Sequence, residues 1–429
     1  MKKRSFFFIV CVGWLALMSA QAFCADAAAL PASFSLRNCF EWASRRSETL
    51  GIRGEEVKAA EARYWQAVSG LLPKVHLKGT ENFFDKRGVG FSPGKGLFDE
   101  HDSFTSSINV KQPIFHGFRE FAAARAASAE KEASRFSLQR ARQLLYLDVA
   151  DAFYQILSYE GDLIVLGNLK QALQERVQEL ERRVKIGRSR TSEALLARTD
   201  LADAQVTIEQ TQKLLSASRE LMAFLMGVPA EKIHLEEKSS FPSATKIEHY
   251  LVHTGERPDV LAQIQKLRSA KSQLFAYKAD HWPTVNAEGN YFPYNDPKSG
   301  GDWNIALTVD LPIFEGGLIE AKVKESQALA RSAEFSLSEA QRSAEKDVRT
   351  AYNDFIASGA EFVRLQELAK IAEENLEAQK KDYGRGVSSN LDVLGALQTF
   401  QDARRRVLDA EFTARNDWAR LLVSAGMDS

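Results

Sequence analysis

Two acidic residues, Glu193 and Asp392, follow glycine-containing turns in two similar stretches of the chain. The first stretch is KIGRSRTSEALLA around Gly187, and the second is GRGVSSNLDVLGA around Gly386. If such turns from several subunits converge on one axis, copies of each carboxylate surround one opening. A ring of this kind favours cations, repels anions and raises the pKa of the neighbouring carboxyl groups. The alternative is that each acid caps or flanks the helix that follows it, because a helix N-terminus stabilises negative charge.

No other set of side chains suggests catalysis or cofactor binding. The sequence has no phosphate-binding loop, nucleophile elbow or metal-hydrolase motif. His249 and His253 could share a helix face, but they lack a third ligand, so solvated or packed histidines are the simpler interpretation. The three cysteines offer neither a disulfide framework nor a metal site. We therefore expect no enzymatic activity, no cofactor and no metal.

The N-terminus has the features of a secretory signal peptide. A basic start, the apolar run SFFFIVCVGWLALM and small residues predict a signal over residues 1–22, with cleavage after Ala22 or, as a second choice, Ala25. Cys24 could carry a lipid, but Phe23 before it does not fit the lipoprotein pattern, so ordinary cleavage is favoured. Cleavage changes the formal charge from -1 to about -4. That charge gives no argument for a nucleic-acid partner.

The composition excludes two classes of protein. The chain has 429 residues, of which 45% are hydrophobic and 26% are charged, which fits neither a disordered chain nor a polytopic helical membrane protein. After the signal, no apolar run approaches the roughly 20 residues of a membrane-spanning helix. A secreted chain of this kind is either soluble or crosses a membrane as a barrel.

The chain contains an internal repeat. DVADAFYQIL at Asp148 matches DVRTAYNDFI at Asp347, and QPIFHGF matches LPIFEGG in the same register. We expect a first structural repeat over 23–230, a linker over 231–246 and a second repeat over 247–429.

Each repeat has the same order of predicted elements. A helix comes first, from Glu41 to Leu71 or from Pro258 to Asp280, and two strands follow it. A long helix without proline then runs from about Gly117 or Gly316. Its apolar stripe has a period close to 3.5 residues, which is typical of coiled coils. A glycine turn and a return helix complete the unit, and the two shorter helices together match the length of the long helix.

The PIF motif marks the place where a returning strand becomes the long helix. We expect proline to end the strand and to fit the first helical turn, Ile and Phe to bury the joint, and glycine to let the chain swing. The strand-to-helix joint residues are Pro113, Phe115, Gly117, Pro312, Phe314 and Gly316.

The strands predict a pore that several chains form together. Four strands of about ten residues can cross a bilayer but cannot close a barrel, and open edges in lipid leave backbone groups unpaired. Three chains would supply about twelve strands, so a trimer is favoured, although geometry alone does not exclude other copy numbers.

This arrangement resembles the TolC family of outer-membrane efflux proteins over essentially the whole mature chain. The duplicated helix–strand–strand–helix–helix order carries the resemblance, together with the turn YGRGVSSNLDVLGA at Tyr383. It implies a mainly α-helical channel-tunnel, with a homotrimeric 12-stranded barrel in the Gram-negative outer membrane and a periplasmic α-helical barrel. It further implies a passive exit duct for a tripartite efflux pump or a type I secretion system. The implied partners are a periplasmic adaptor and an inner-membrane transporter of the RND, ABC or MFS type.

The resemblance also assigns roles to residues of the two turns. Tyr383, Asp392 and Glu193 match aperture positions, whereas Ser388 stands where the best-known member has an arginine that helps to close the aperture. A serine carries no charge and cannot form that ionic link, so nearby arginines are the alternative. The implied adaptor contacts are Gly187, Arg188, Gly386 and Val387.

Two further alternatives stay open at this point. A periplasmic coiled-coil spacer that binds partners without forming a pore is the main competing function, although a spacer has no need of hairpins.

The Arg/Glu pairs of the helices are interpreted as a solvated face. Several aromatic residues flank the strands and form either interfacial girdles or packing at the barrel joint: Trp65, Phe83, Phe84, Tyr291, Phe292 and Trp303.

Overall fold

The computed structural model describes residues 33–82, 103–237, 239–294 and 302–427. The signal peptide, Cys24, Phe83 and Phe84 lie outside the described residues. No helix in the described part of the chain is long and apolar enough to cross a membrane.

In the described part of the first repeat, the chain forms four α-helices and two strands. Their bounds are α1 Leu36–Arg46, α2 Glu48–Ser69, β1 Lys74–Asn82, β2 Ser103–His116, α3 Arg119–Lys185 and α4 Thr191–Met226. The helix expected over Glu41–Leu71 is therefore two helices. The break falls at Ser47, because its backbone is extended and its hydroxyl accepts a hydrogen bond from the Leu50 N–H at 3.3 Å, which starts a new helix.

The second repeat follows the same order. A short helix, α5 Ile247–Leu251, leads into α6 Pro258–Lys278, and Pro258 occupies the first turn, where its missing N–H costs nothing. The remaining elements are β3 Thr284–Tyr294, β4 Trp303–Asp310, α7 Leu318–Gly384 and α8 Asn390–Ser424.

The two long helices confirm the prediction made from the absence of proline. Each of α3 and α7 has 67 residues and is therefore about 100 Å long. Buried alanines at Ala122, Ala126, Ala129 and Ala133 form a stripe on α3, which allows neighbouring helices to approach closely. The coiled-coil stripe is also largely buried, with Leu166, Leu173, Val177 and Leu180 in the first repeat and Leu365, Ala372 and Leu376 in the second.

The repeats interleave instead of forming separate rods. α3 packs against α2 and α4, as expected, but also against α6 and α8 of the second repeat, and α7 packs against α6 and α8. The four strands form one antiparallel sheet in the order β1-β2-β3-β4. Within the described residues, β1 and β4 therefore form the two edges of the sheet.

The strand-to-helix joints differ from the prediction in three ways. The helices begin at Arg119 and Leu318, so neither proline lies in a first helical turn. Pro113 remains inside β2, next to a register irregularity, whereas β4 ends at Asp310 before Pro312. Finally, the apolar residues of the motif do not bury the second joint, since Ile313 is 93% and Phe314 is 87% exposed in the single chain.

The remaining joint residues are the two glycines and Phe115. Gly117 and Gly316 have φ of 60° and 63°, in the left-handed region that favours glycine. Phe115 is half-buried and packs edge-on against Phe118, with ring centroids 5.5 Å apart.

Candidate functional site

The site is built at the two tips, where α3 turns into α4 and α7 turns into α8. Gly187 has φ of 71° and Gly386 has φ of 78°, and no atom of the part of the chain that the structure describes lies within 4 Å of the Cβ that another residue would add. These glycines are therefore needed for the left-handed backbone and not for close packing. The Arg188 N–H donates to the Arg183 carbonyl at 2.8 Å, which satisfies the end of α3.

Asp392 closes the start of α8 in a capping box with Ser389. The Ser389 N–H and hydroxyl donate to the Asp392 carboxylate at 2.8 and 2.7 Å, and the Asp392 N–H donates to the Ser389 hydroxyl at 3.3 Å. The hydroxyl and backbone hydrogen bonds from Ser389 hold the pKa of Asp392 below its ordinary value. The capping alternative therefore holds within one chain, and the carboxylate is ionised and exposed at the tip.

Glu193 occupies the equivalent place at the start of α4. The Ser189 hydroxyl donates to the Glu193 carboxylate, and the Glu193 N–H donates to the Arg190 carbonyl at 3.1 Å. The N-cap residue, Arg190, has no side-chain hydrogen bond to the helix. The first tip therefore carries an acid in the same turn but lacks the reciprocal cap of the second tip.

Tyr383 connects the end of α7 to the end of α3. Arg183 donates to the Tyr383 hydroxyl at 2.8 Å, and the Arg176 guanidinium lies 4.0 Å from the centre of its ring. Glu179 bridges the two arginines, at 2.7 Å from Arg176 and 2.6 Å from Arg183. Arg176 also donates to the Asn390 side chain at 2.5 Å. This network, the tip network, links the first repeat to the second.

The interpretation of the Arg/Glu pairs as a solvated face missed this network. The Arg176 side chain is only 12% exposed, and its partners include the ring of Tyr383, which lies far away in sequence. One signal was available: Arg176, Glu179 and Arg183 have helical spacing and adjoin the buried coiled-coil stripe. The sequence does not show that α8 begins directly beside these three residues of α3.

A hydrophobic cluster holds the two tips together beneath the turns. Leu180 and Ala197 of the first repeat belong to the same buried cluster as Leu376, Leu394 and Leu397 of the second. The buried base of the tips is therefore shared by α3, α4, α7 and α8.

The turns themselves expose a mixed apolar and basic surface. Val387 and Ile186 are exposed, as is Arg188. Ser388 faces inward instead, and its hydroxyl donates to the Gln379 carbonyl at 3.2 Å, so it caps the end of α7. The predicted contact residues are thus accessible, and Ser388 serves the local fold.

The structure brings His249 and His253 close together. The rings of His249 and His253 lie 5.7 Å apart, and His253 contacts Glu256 at 3.3 Å. No group of three or more His, Cys, Asp or Glu side chains suited to a metal ion occurs in the described part of the chain.

The opposite end of the molecule displays an amphipathic sheet. Leu77, Ile305, Leu307 and Val309 share one face and are exposed, as are Trp303 and Tyr291, which lie directly opposite each other. Apolar side chains facing outward from a sheet are expected where lipid is the solvent. The sheet continues into 100 Å helices that end in exposed turns, and this combination defines an outer-membrane channel made of a β-barrel and an α-helical barrel.

The chain belongs to the family of outer membrane efflux proteins, whose model matches residues 48–228 and 254–427. "Outer membrane protein TolC" of Vibrio cholerae is 24% identical over 367 residues, 80% of each chain. "Alkaline protease secretion protein AprF" of Pseudomonas aeruginosa is 24% identical over 346 residues, 76% of this chain and 70% of that one.

A solved structure agrees with the family. The outer membrane protein VceC of Vibrio cholerae superposes with a TM-score of 0.80 at 20% identity, covering 91% of this chain and 96% of that chain. The predicted fold class, the outer-membrane location and the role as an exit duct for efflux or secretion are confirmed. Channels of this family are trimeric and work with adaptors and inner-membrane transporters.

Proposed function

We propose that three copies of this chain close one 12-stranded barrel, and that the barrel and the helical tunnel form the passive outer-membrane duct of a tripartite pump or a type I secretion system. A periplasmic adaptor binds the tips, and an inner-membrane transporter of the RND, ABC or MFS type supplies the energy. Each chain contributes one repeat over 23–230 and one over 247–429, joined by the linker 231–246.

The sheet is the observation that carries this proposal. Its apolar face is exposed, and its edge strands β1 and β4 each have one neighbour within the described residues. In lipid an unpaired strand edge costs several kcal/mol for each backbone group, so the edges must pair with other chains. The order of the helices supports the same conclusion. α2 leads into the edge strand β1 and α7 follows the edge strand β4, so these two helices lie at the interfaces between subunits.

The tips support the proposed adaptor contact and aperture. Gly187, Arg188, Gly386 and Val387 lie on exposed turns where a partner can reach backbone and side chains together. Asp392 and Glu193 flank those turns, and a threefold axis would repeat each carboxylate three times. The tip network around Tyr383 then fixes how closely the two turns of each chain approach.

Membrane extraction and single-channel recording test the duct. The chain should fractionate with outer membranes, require detergent, and give trimers that conduct in planar bilayers. A water-soluble monomer without conductance would instead favour the coiled-coil spacer.

Asp392→Asn tests the aperture in the same recordings. Loss of three carboxylates at one opening should lower cation preference and shift the reversal potential in a salt gradient. Glu361→Gln is a matched control, because it removes an exposed carboxylate in the middle of α7. Equal reversal potentials for all three proteins would contradict an aperture role for Asp392.

Deletion of the gene separates the two transport systems. Loss of a secreted protein would support type I secretion; the relative AprF is named for the secretion of alkaline protease. Increased sensitivity to dyes and detergents would support a drug efflux pump.

A further inference from the structure

The second face of the sheet is polar along all four strands. Alternate residues of a strand point to opposite faces, and the register aligns them in rows. One row runs His76, Asn109, Asn290 and Asn304. Side-chain hydrogen bonds confirm that these residues share a face: Asn109 donates to Asn290 at 2.7 Å, and Asn290 donates to Asn304 at 2.9 Å. We call this side of the sheet the polar face.

The next row contains two lysines directly opposite each other. Lys74 pairs with Lys111 in the register, and Lys111 pairs with Glu288. Like charges at directly opposite positions destabilise a sheet. The Glu288 carboxylate accepts a hydrogen bond from Asn109 at 2.6 Å, and among the described residues no ion pair involves either lysine.

The polar face as a whole has more positive than negative charge. Lys78 lies on the same face of β1, opposite Ser107, and its side chain is exposed. The strands therefore place three lysines on this face, against the carboxylates of Glu288 and Asp310. The three lysines all lie on β1 and β2, so the excess of positive charge is confined to that part of the polar face.

We propose that the polar face is a binding surface for anionic solutes, with Lys74 and Lys111 as its centre and Lys78 as a further contact. This proposal rests on the proposed function, because only closure of the barrel turns the polar face into the lining of a lumen. A trimer repeats the lysine pair three times at one level. Directly opposite residues have Cβ atoms about 5 Å apart, so both ammonium groups can contact one carboxylate or phosphate group. Rings of lysine select anions in the same way that rings of acids select cations.

Planar bilayers of neutral lipid provide the test, with citrate as the probe. Citrate added at the end of the barrel remote from the helices should reduce the conductance of the unmodified trimer in a concentration-dependent manner. In the double variant Lys74→Gln/Lys111→Gln, the half-blocking citrate concentration should rise about tenfold. Lys111→Arg keeps the charge and should retain the block.

Glu288→Gln is the matched variant of opposite sign. It removes the anion that faces Lys111 while keeping an oxygen that can accept from Asn109. It should strengthen the citrate block and shift the reversal potential in a KCl gradient towards anions, whereas Lys111→Gln should shift it towards cations. Lys271→Gln, at a lysine of α6 that pairs with Glu334 at 2.9 Å, should change neither quantity.

The outcomes separate the two proposals. Conducting trimers with a citrate block that is indifferent to Lys74, Lys111 and Glu288 would overturn the anion surface and leave the duct intact. Absence of conductance from the unmodified protein would overturn the duct and the anion surface together.

Discussion

The joint between β2 and α3 is packed against the second repeat, whereas the equivalent joint between β4 and α7 is open. A Cβ on Gly117 would lie 2.9 Å from both the Ala279 carbonyl oxygen and the Trp282 Cβ. Beside it, the His116 ring contacts Asn286 at 3.0 Å and Glu120 at 2.5 Å. A Cβ on Gly316 would have no atom of the described residues within 4 Å, and Phe314 is exposed.

The difference shows that position in the sheet, and not the motif, determines how the joint is packed. β2 is an inner strand that pairs with β3 as far as His116, so its PIF residues remain in the sheet. β4 is an edge strand, and it ends at Asp310. The second joint therefore has the same motif as the first but lacks the helix end, at Ala279 and Trp282, that packs against the first joint. If the next subunit repeats the internal packing, Ser69 and Leu72 of that subunit take the places of Ala279 and Trp282.

Alanine at the two joint glycines provides the largest test of this comparison. Both substitutions carry the left-handed backbone cost of about 1–2 kcal/mol. Gly117→Ala also forces a Cβ against backbone, which adds about 1–3 kcal/mol. We expect Gly117→Ala to reduce the yield of folded chain strongly, measured as protease-resistant protein in the outer membrane.

Gly316→Ala distinguishes packing within the chain from packing between chains. It should allow the chain to fold but lower the fraction that migrates as trimer on a mild-detergent gel. A Gly316→Ala trimer as abundant and as heat-resistant as the unmodified one would show that the second joint is not packed against the next subunit.

Asp347 and Asp148, at equivalent positions of the repeats, provide the second test. Arg257 is 3% exposed and donates to Asp347 through two nitrogens, each at 3.2 Å. Asp148 has no arginine partner among the described residues, and burial together with the charge of Asp151 raises its pKa. Asp347→Asn should therefore lower stability by about 1–2 kcal/mol, since Asp259 still pairs with Arg257.

Asp148→Asn is the matched control for Asp347→Asn. It should leave the stability unchanged or slightly increased, because the ionised carboxyl is disfavoured at that position. Denaturant titration of the detergent-solubilised trimer measures both variants. Equal losses would contradict the inference that the arginine distinguishes the two positions.

The sequence predicts the elements that depend on local pattern and misses the contacts that depend on which helices become neighbours. The absence of proline was sufficient to predict α3 and α7. The internal repeat was sufficient to predict the order in which helices and strands follow one another along the chain. The burial of Arg176 could not be predicted, because Tyr383 and Asn390, which cover it, come from the other repeat. The burial of Arg257 could not be predicted either, because Asp347 and the Ser424 carbonyl, which it contacts, lie 90 and 167 residues away in the sequence. The exposure of Phe314 in the single chain was also not predicted, because the motif's apolar residues were expected to be buried at the joint by contacts within their own chain.

The two tips provide the third test, through serines in equivalent turns. Ser389 forms the reciprocal cap with Asp392, whereas the Ser189 hydroxyl donates to the Glu193 side chain and the N-cap residue of α4, Arg190, makes no side-chain cap. Ser389→Ala should cost about 1 kcal/mol, while Ser189→Ala should cost less. Hydrogen exchange of the first turns of α8 and α4 measures the local effect, and equal increases in exchange would contradict the asymmetry of the caps.

The smallest expected effect concerns a buried acid that the first repeat lacks. Asp417 is buried in α8, and its counterpart is Ser218, an uncharged residue. Burial raises the pKa of Asp417, and the charges of Asp354 and Asp151 raise it further, against a hydrogen bond from Ser358 and the charge of Arg420. A carboxyl whose pKa is raised by folding stabilises the folded protein fully below its unfolded-state pKa. This contribution to the free energy of unfolding is lost as the pH rises through the folded-state pKa.

Asp417→Asn should therefore stabilise the trimer near neutral pH, by less than about 1 kcal/mol, and should give no gain at pH values below the unfolded-state pKa. The temperature at which trimers dissociate, measured at about pH 3 and about pH 7, separates these cases. Asp409→Asn removes an exposed acid from the same helix and should change neither temperature. A gain of equal size at both pH values would mean that the asparagine improves packing, and that the charge of Asp417 is not what distinguishes the second repeat from the first.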